Sequence, residues 1–189
     1  MVDHAIWGLV NIAGDSHKIR DLVINEGAIA PISDILDRAQ PGSSFVRNAS
    51  WTLSNLCRGR PAPQFARVGR AISSLSKVLI ENDVEDILVD VCWAMSYLSD
   101  GGEERIPEIL RTGVLPRLVQ LLRHHNIAIS VPCLRSIGNI VTGNDEQTEM
   151  AIKAGALEAL DSTEYFWDAI KTTMSWVCTD GHKNAFVIE

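Results

Sequence analysis

The sequence predicts an all-α protein, a right-handed solenoid of three-helix repeats, on three observations. Four related segments, two of which place a tryptophan four positions before an asparagine, recur about every 42 residues. Between these segments, apolar residues follow the i, i+3, i+4, i+7 spacing of a helix that buries one face. Signals for β-strands are scarce, and glycine, proline and aspartate cluster between the helical stretches. A fixed period of this length is the signature of a repeat architecture.

The recurring segment is present in four related copies. Their anchor residues, Trp7, Trp51, Trp93 and Arg135, are separated by 44, 42 and 42 residues. Residues four apart project from the same face of a helix, so each anchor lies beside the residue four positions later. The copies are AIWGLVNIAGD (5–15), ASWTLSNLCRG (49–59), VCWAMSYLSDG (91–101) and CLRSIGNIVTGND (133–145).

A glycine precedes the second apolar helix of each unit. Glycine adopts positive φ without steric cost, so we expect each of these glycines to end one helix before the next begins. Each unit is therefore a short first helix, a glycine turn, a second helix and a long third helix with the aromatic segment. The glycine segments are EGAIAPISDIL (26–36), GRAISSLSKVL (69–79, with Gly69), TGVLPRLVQLL (112–122) and AGALEAL (154–160).

Three helices in about 42 residues is the period of armadillo repeats, with HEAT repeats as the nearest alternative. Such units bury their apolar faces by stacking, so we expect a single armadillo-repeat domain over 1–189 with about four repeats. Neither end has the polar outer face of a capping repeat. We therefore expect a partial array, which is either an internal piece of a longer one or a shortened product that covers its uncapped ends by self-association. Residues 161–189 diverge from the repeat pattern.

The composition disfavours several classes of protein. The net charge is −7, from 17 basic and 24 acidic residues, which argues against nucleic acid as a ligand and allows a basic partner. No apolar run approaches the about 20 residues that a membrane span needs. The cysteines lie in apolar helical stretches without metal-ligand spacing, which predicts buried, reduced thiols in a reducing compartment. They are Cys57, Cys92, Cys133 and Cys178.

The pairs Trp7 with Asn11 and Trp51 with Asn55 predict a surface that binds an extended peptide. An asparagine side chain offers a donor and an acceptor, so it can bind both the N–H and the C=O of a peptide backbone. Neighbouring tryptophans can hold a long aliphatic stem, with its cationic head near the aromatic face. The alternative is that the tryptophans belong to the core and the asparagines only bridge adjacent repeats.

Carboxylates flank these pairs along the sequence. Aspartates at the ends of tryptophan slots favour basic side chains through charge-assisted hydrogen bonds. The sequence therefore predicts a ligand that is extended, rich in lysine and arginine, and without secondary structure of its own. The carboxylates are Asp15, Asp86, Asp90, Asp100 and Asp145.

At these residues the chain resembles the importin-alpha family, the adaptors that bind nuclear localisation signals. WGLVNIAGD, WTLSNLCRGR, CWAMSYLSDGG and LRSIGNIVTGND each resemble successive repeats of that family, over roughly residues 2–160. The resemblance extends to Tyr97 in place of the asparagine and Arg135 in place of the tryptophan. It implies an adaptor for nuclear protein import that shuttles between cytoplasm and nucleus, without cofactor or metal and without a nucleic-acid or membrane ligand.

The resemblance also implies two peptide-binding sites along one groove. Asp15 matches the aspartate that pairs with the key lysine of the signal. The second-repeat Trp/Asn pair and the seventh-repeat W-x-x-x-N are both absent, so we expect both sites to be incomplete. The residues that match the family's major site are Trp7, Asn11, Asp15, Trp51, Asn55, Asp86, Asp90 and Trp93. Those that match its minor site are Tyr97, Arg135, Asn139, Gly143, Asp145 and Thr148.

Two further expectations concern partners and chemistry. The family binds importin-beta through a basic N-terminal segment that this sequence does not contain, so we expect no recruitment of importin-beta by that route. The sequence has no phosphate-binding loop, metal-ligand spacing or nucleophile motif, so we do not expect an enzyme. The alternative function is an armadillo-repeat scaffold or adaptor for another protein partner, without nuclear-import cargo.

Overall fold

A computed structural model describes residues 8, 9, 11, 14, 16–101 and 104–161. This part of the chain consists of helices joined by turns and contains no strand. No helix within it is long and apolar enough to cross a bilayer. Its helices are α1 (His17–Asn25), α2 (Ile29–Arg38), α3 (Ser44–Cys57), α4 (Phe65–Val68), α5 (Ala71–Glu81), α6 (Glu85–Ser99), α7 (Arg105–Arg111), α8 (Leu115–Leu121), α9 (Ile127–Val141), α10 (Asp145–Lys153) and α11 (Ala156–Asp161).

The helices repeat in groups of three. α1–α3, α4–α6 and α7–α9 each consist of a short first helix, a second helix and a longer third helix, and α10 and α11 begin another group. The third helices form one row, in which α3 packs on α6 and α6 packs on α9. Second helices also stack, α2 on α5 and α8 on α11. The predicted all-α solenoid of three-helix repeats is confirmed.

Several helices begin at a residue whose side chain caps the first turn. Ser16, Ser43 and Asn126 each accept a hydrogen bond from a backbone N–H in the first turn of the following helix. At α10, Asn144 and Gln147 form a reciprocal capping box. Such caps satisfy N–H groups that lack a partner within the helix. The starts of these four helices are therefore fixed locally.

The glycine turns behave as predicted at three of the four positions. Gly27, Gly113 and Gly155 have φ values of 85°, 72° and 87°. The prediction for Gly69 is wrong, because it has helical angles, φ −56° and ψ −31°. Its N–H donates to the Phe65 carbonyl at 2.8 Å. α4 is only four residues long, so the chain passes almost directly into α5 without a left-handed turn.

The cysteines described by the structure are buried, free thiols, as predicted. Cys92 and Cys133 come from adjacent third helices, with their sulfur atoms 3.4 Å apart. Burial raises the pKa of Cys57 to about 12, and burial together with Cys92 raises the pKa of Cys133. These thiols are therefore packed as small apolar groups, not activated as nucleophiles. Cys178 lies outside the described residues.

Two buried arginines tie the first helices to the loop that follows α3. Arg20, with 2% of its surface exposed, donates to the Arg58 carbonyl at 2.7 Å and to the Pro61 carbonyl at 2.8 Å. Arg105 donates to the Pro63 carbonyl of the same loop at 3.3 Å. Backbone carbonyls of this loop, which have no partner in a helix, are thereby satisfied by guanidinium groups from neighbouring first helices.

Candidate functional site

The third helices leave one side partly open to solvent while their other sides are buried. The i, i+4 spacing places an anchor residue and its partner together on the open side of each helix. Because α3, α6 and α9 pack side by side, these residues form one surface, which we call the ladder face. Its members, all half-buried, are Trp51 and Asn55 on α3, Trp93 and Tyr97 on α6, and Arg135 and Asn139 on α9.

The copy of the motif that precedes α1 is described only in part. Asn11 is helical and exposed. Trp7 and Asp15 lie outside the described residues, so their assignment to the peptide-binding surface stays a prediction.

The ladder face between α6 and α9 is occupied by a cation from the chain itself. The Trp93 and Tyr97 rings stack with their centroids 5.8 Å apart. The Arg135 guanidinium lies 5.7 Å from the Tyr97 ring centroid and donates to the Asp100 carboxylate at 2.8 Å. Arg135 therefore already makes the aromatic and carboxylate contacts that an incoming lysine or arginine would make there.

Two carboxylates lie near the start of α6, on the part of the groove between α3 and α6. Asp86 is exposed and pairs with Arg47 of α3 at 2.5 Å. Asp90, one turn further along α6, is half-buried. Burial, reinforced by the Asp86 charge and opposed by Arg47, raises the pKa of Asp90 to about 6. Burial disfavours the ionised carboxylate of Asp90. A cation placed against Asp90 would stabilise that ionised form.

The two asparagines of the ladder face make different contacts. Asn55 Nδ2 donates to the Trp51 carbonyl of its own helix at 3.0 Å. Asn139 Nδ2 donates to the Ser96 carbonyl at 3.3 Å and to Ser99 Oγ at 2.9 Å, both on α6. The interpretation of asparagines as bridges between repeats therefore describes Asn139, whereas the bond of Asn55 stays within α3.

Gly143, Asp145 and Thr148 lie at the turn between α9 and α10. A Cβ on Gly143 would approach Gln147 Oε1 to 1.7 Å, so glycine leaves room for the side chain that caps α10. Thr148 Oγ1 donates to the Val141 carbonyl at 3.2 Å. Asp145 is exposed in the first turn of α10, where a negative charge is favourable. Local structure accounts for all three residues, and their role in peptide binding stays a prediction.

Arg47 is a groove residue that the sequence motifs do not include. It lies one turn before Trp51, at i−4, and so on the same side of α3. Its partner Asp86 is 39 residues away, so the ion pair depends on how the repeats stack. The spacing along α3 is sufficient to place Arg47 beside Trp51, but it does not identify Asp86 as the partner of Arg47.

One group of side chains in the described part of the chain has ligand atoms close enough to hold a metal ion. Potential ligand atoms of Glu85, His124 and His125 lie within 4.8 Å of one another. Asn126 Nδ2 donates to Glu85 at 2.7 Å, which lowers the pKa of Glu85, and the Asn126 N–H donates to His124 Nδ1 at 3.1 Å. These hydrogen bonds explain the group as a polar contact between adjacent repeats.

Replacing Asp90 by asparagine is expected to stabilise the protein at pH 7.5 by up to about 1 kcal/mol, after discounting for partial exposure. The folded pKa of about 6 lies above the ordinary value of 3.8. The contribution of Asp90 to stability is therefore full below about pH 4 and is lost as pH rises through about 6. Urea unfolding at pH 4.5 and 7.5 measures the difference.

The matched control is Glu81→Gln, which removes an exposed carboxylate at the end of α5. The stability gain of Asp90→Asn over wild type should grow between the two pH values, and that of Glu81→Gln should not. An Asp90→Asn gain that is the same at both pH values would contradict the assigned pKa.

The comparisons with known proteins agree with this architecture. The family model for the Armadillo/beta-catenin-like repeat matches residues 16–58 and 102–142. These ranges correspond to the first and third complete helix triplets, apart from the residues at their boundaries.

Sequence relatives of the chain include importin-alpha subunits of plants. It is 47% identical over 158 residues to importin subunit alpha-1b of Oryza sativa subsp. japonica, covering 84% of this chain and 29% of that protein. It is 44% identical over 180 residues to importin subunit alpha-1a of the same species, covering 94% of this chain and 34% of that protein. The chain thus spans about a third of the length of these relatives.

Solved structures of similar shape include designed armadillo repeat proteins. One has a TM-score of 0.78 at 27% identity, and the match covers 88% of this chain and 71% of that one. Another, solved in complex with the peptide (KR)4, has a TM-score of 0.75 at 26% identity with the same coverage. Together with the repeats described above, these matches show that the chain is an array of armadillo repeats, similar in sequence to importin-alpha subunits.

Proposed function

We propose that this chain acts as a non-catalytic adaptor in nuclear protein import, and that it binds extended, lysine- and arginine-rich nuclear localisation signals on its ladder face. The proposal rests on one observation. Trp51 and Asn55 lie half-buried on α3 beside a groove, and Asp86 and Asp90 of α6 give that groove negative charge. An adaptor of this kind moves between cytoplasm and nucleus with its cargo.

The groove between α3 and α6 offers each kind of contact that a basic peptide requires. Trp51 and Trp93 present partly exposed rings from adjacent third helices, against which the aliphatic stems of lysine and arginine can pack. The Asn55 carboxamide can form hydrogen bonds with both the N–H and the C=O of a peptide backbone, whatever side chains the peptide carries. The bond to the Trp51 carbonyl uses one donor, which leaves the Asn55 carboxamide its acceptor and a second N–H.

The charge arrangement favours a cationic ligand on the α3–α6 part of the groove. Asp90 carries a pKa of about 6, so it is mainly ionised at neutral pH and gains from a nearby cation. The similar designed armadillo protein was solved with the peptide (KR)4, which supports a basic peptide as the ligand class.

Arg135 divides the groove into two segments. Its guanidinium fills the space against Tyr97 and Asp100, where a tryptophan slot would otherwise continue. A signal with two basic clusters would therefore place one cluster on the α3–α6 segment. The second cluster would lie beyond Arg135, near Asn139 and the α9–α10 turn with Gly143, Asp145 and Thr148.

The test is a direct titration of the wild-type chain with labelled peptides by fluorescence anisotropy. We expect (KR)4 to bind and the acidic octapeptide (ED)4 not to bind, with the (KR)4 affinity falling as salt is raised from 50 to 300 mM. An armadillo scaffold for another kind of partner would not prefer the basic peptide. Equal binding of the two peptides, or none of either, would overturn the proposal.

A further inference from the structure

Arg47 places a positive charge inside the groove that the proposed function requires to be negative. It lies on α3 one turn before Trp51, and 47% of its side chain is exposed. Its guanidinium pairs with Asp86 of α6 at 2.5 Å. The pair therefore spans the two helices between which a basic peptide would lie.

The Arg47–Asp86 pair contrasts with the Arg70–Asp34 pair, which also joins adjacent repeats. Arg70, the residue just before α5, pairs with Asp34 of α2 at 2.6 Å, and α2 and α5 belong to the row of second helices, away from the ladder face. Both arginines are solvent-exposed, and exposed ion pairs of this kind contribute little to stability. The position of Arg47, and not the strength of its ion pair, is the feature that a ligand would encounter.

We propose that Arg47 is a specificity-determining residue that acts as an internal competitor for the cationic side chains of the ligand. While Arg47 holds Asp86, an incoming lysine or arginine meets one neutralised carboxylate and one free carboxylate, Asp90. The ligand must displace Arg47 or bind beside it. Weakly basic peptides would therefore bind poorly, whereas peptides with several adjacent cations would still bind. This inference rests on the proposed function.

The effect of Arg47 has two physical parts. A guanidinium that stays near Asp86 repels a second cation, and a guanidinium that is displaced loses its ion pair when the ligand binds. At surface dielectric and physiological salt, each part amounts to roughly the energy of one exposed charge pair. Replacement of Arg47 by glutamine should therefore raise the affinity for a basic peptide about fivefold.

The experiment measures the affinity of labelled (KR)4 for wild type, Arg47→Gln and Arg70→Gln by fluorescence anisotropy in 100 mM salt. We expect Arg47→Gln to bind about fivefold more tightly than wild type, and Arg70→Gln to match wild type. Arg70→Gln removes the same charge and a comparable ion pair at a distance from the ladder face. Circular dichroism melting establishes that each variant is folded before titration.

A second peptide separates competition from a change in the whole groove. For (KG)4, which carries half the charge density, the gain with Arg47→Gln should be larger than for (KR)4, because the internal competitor excludes weak ligands most. Measurable binding of (KG)4 by Arg47→Gln, together with little binding of (KG)4 by wild type, would support the inference.

Equal affinity of wild type and Arg47→Gln for (KR)4, or an equal gain with Arg70→Gln, would overturn the role of Arg47 and leave the proposed function standing. Absence of (KR)4 binding by every folded variant would overturn both.

Discussion

Replacing Arg20 by alanine is expected to lower the free energy of unfolding by about 3 kcal/mol. The Arg20 side chain is 2% exposed and donates to the backbone carbonyls of Arg58 and Pro61. Alanine leaves both carbonyls without this partner and opens a cavity where the arginine stem packed. The loop after α3 would then lose its attachment to α1. Urea unfolding followed by circular dichroism measures the loss.

Arg38→Ala is the control for this prediction, because Arg38 is an exposed arginine in the last turn of α2. We expect a change of at most about 0.5 kcal/mol for that variant. A second variant, Arg20→Met, keeps most of the stem volume and removes the donors, so it separates packing from hydrogen bonding. If Arg20→Ala and Arg38→Ala unfold at the same urea concentration, the buried arginine does not hold the loop.

The second large effect is on binding. Replacing Asn11 and Asn55 together by alanine should weaken the binding of (KR)4 about 100-fold, since each asparagine supplies hydrogen bonds to the peptide backbone worth about a factor of ten. Asn11 is exposed and Asn55 half-buried, so neither loss should unfold the chain. The affinity is measured by fluorescence anisotropy after melting curves establish the fold.

Asn25→Ala is the matched control, because Asn25 is exposed at the end of α1, outside the ladder face. It should bind (KR)4 as wild type does. Unchanged affinity in the double variant would mean that Asn11 and Asn55 do not bind the peptide backbone.

Most of the fold follows from local sequence signals. The period of about 42 residues gave the number and order of helices, because each repeat must bury the same faces against its neighbours. The glycines at 27, 113 and 155 could be assigned to turns because positive φ favours glycine. Gly69 could not, since whether a glycine adopts positive φ depends on the helix before it, and α4 proved to be a single turn.

Only the parts of the candidate site that lie within one helix could be predicted from the sequence. Residues four apart on α3 and α6 share a side, so Trp51 with Asn55 and Trp93 with Tyr97 could be paired from the sequence. Contacts between repeats could not be paired in this way. The bond of Arg135 to Asp100 joins residues 35 positions apart, and it depends on how far one repeat is rotated on the next.

The proposed function places a basic peptide on the ladder face beside Trp51 and Trp93. The most direct measurement is an NMR titration that follows the tryptophan indole N–H signals, each assigned by a Trp→Phe variant, as unlabelled (KR)4 is added. We expect the signals of Trp51 and Trp93 to shift with the same saturation curve, and both shifts to be lost in high salt. Binding of (KR)4 that leaves both signals unchanged would show that the peptide does not lie on the ladder face.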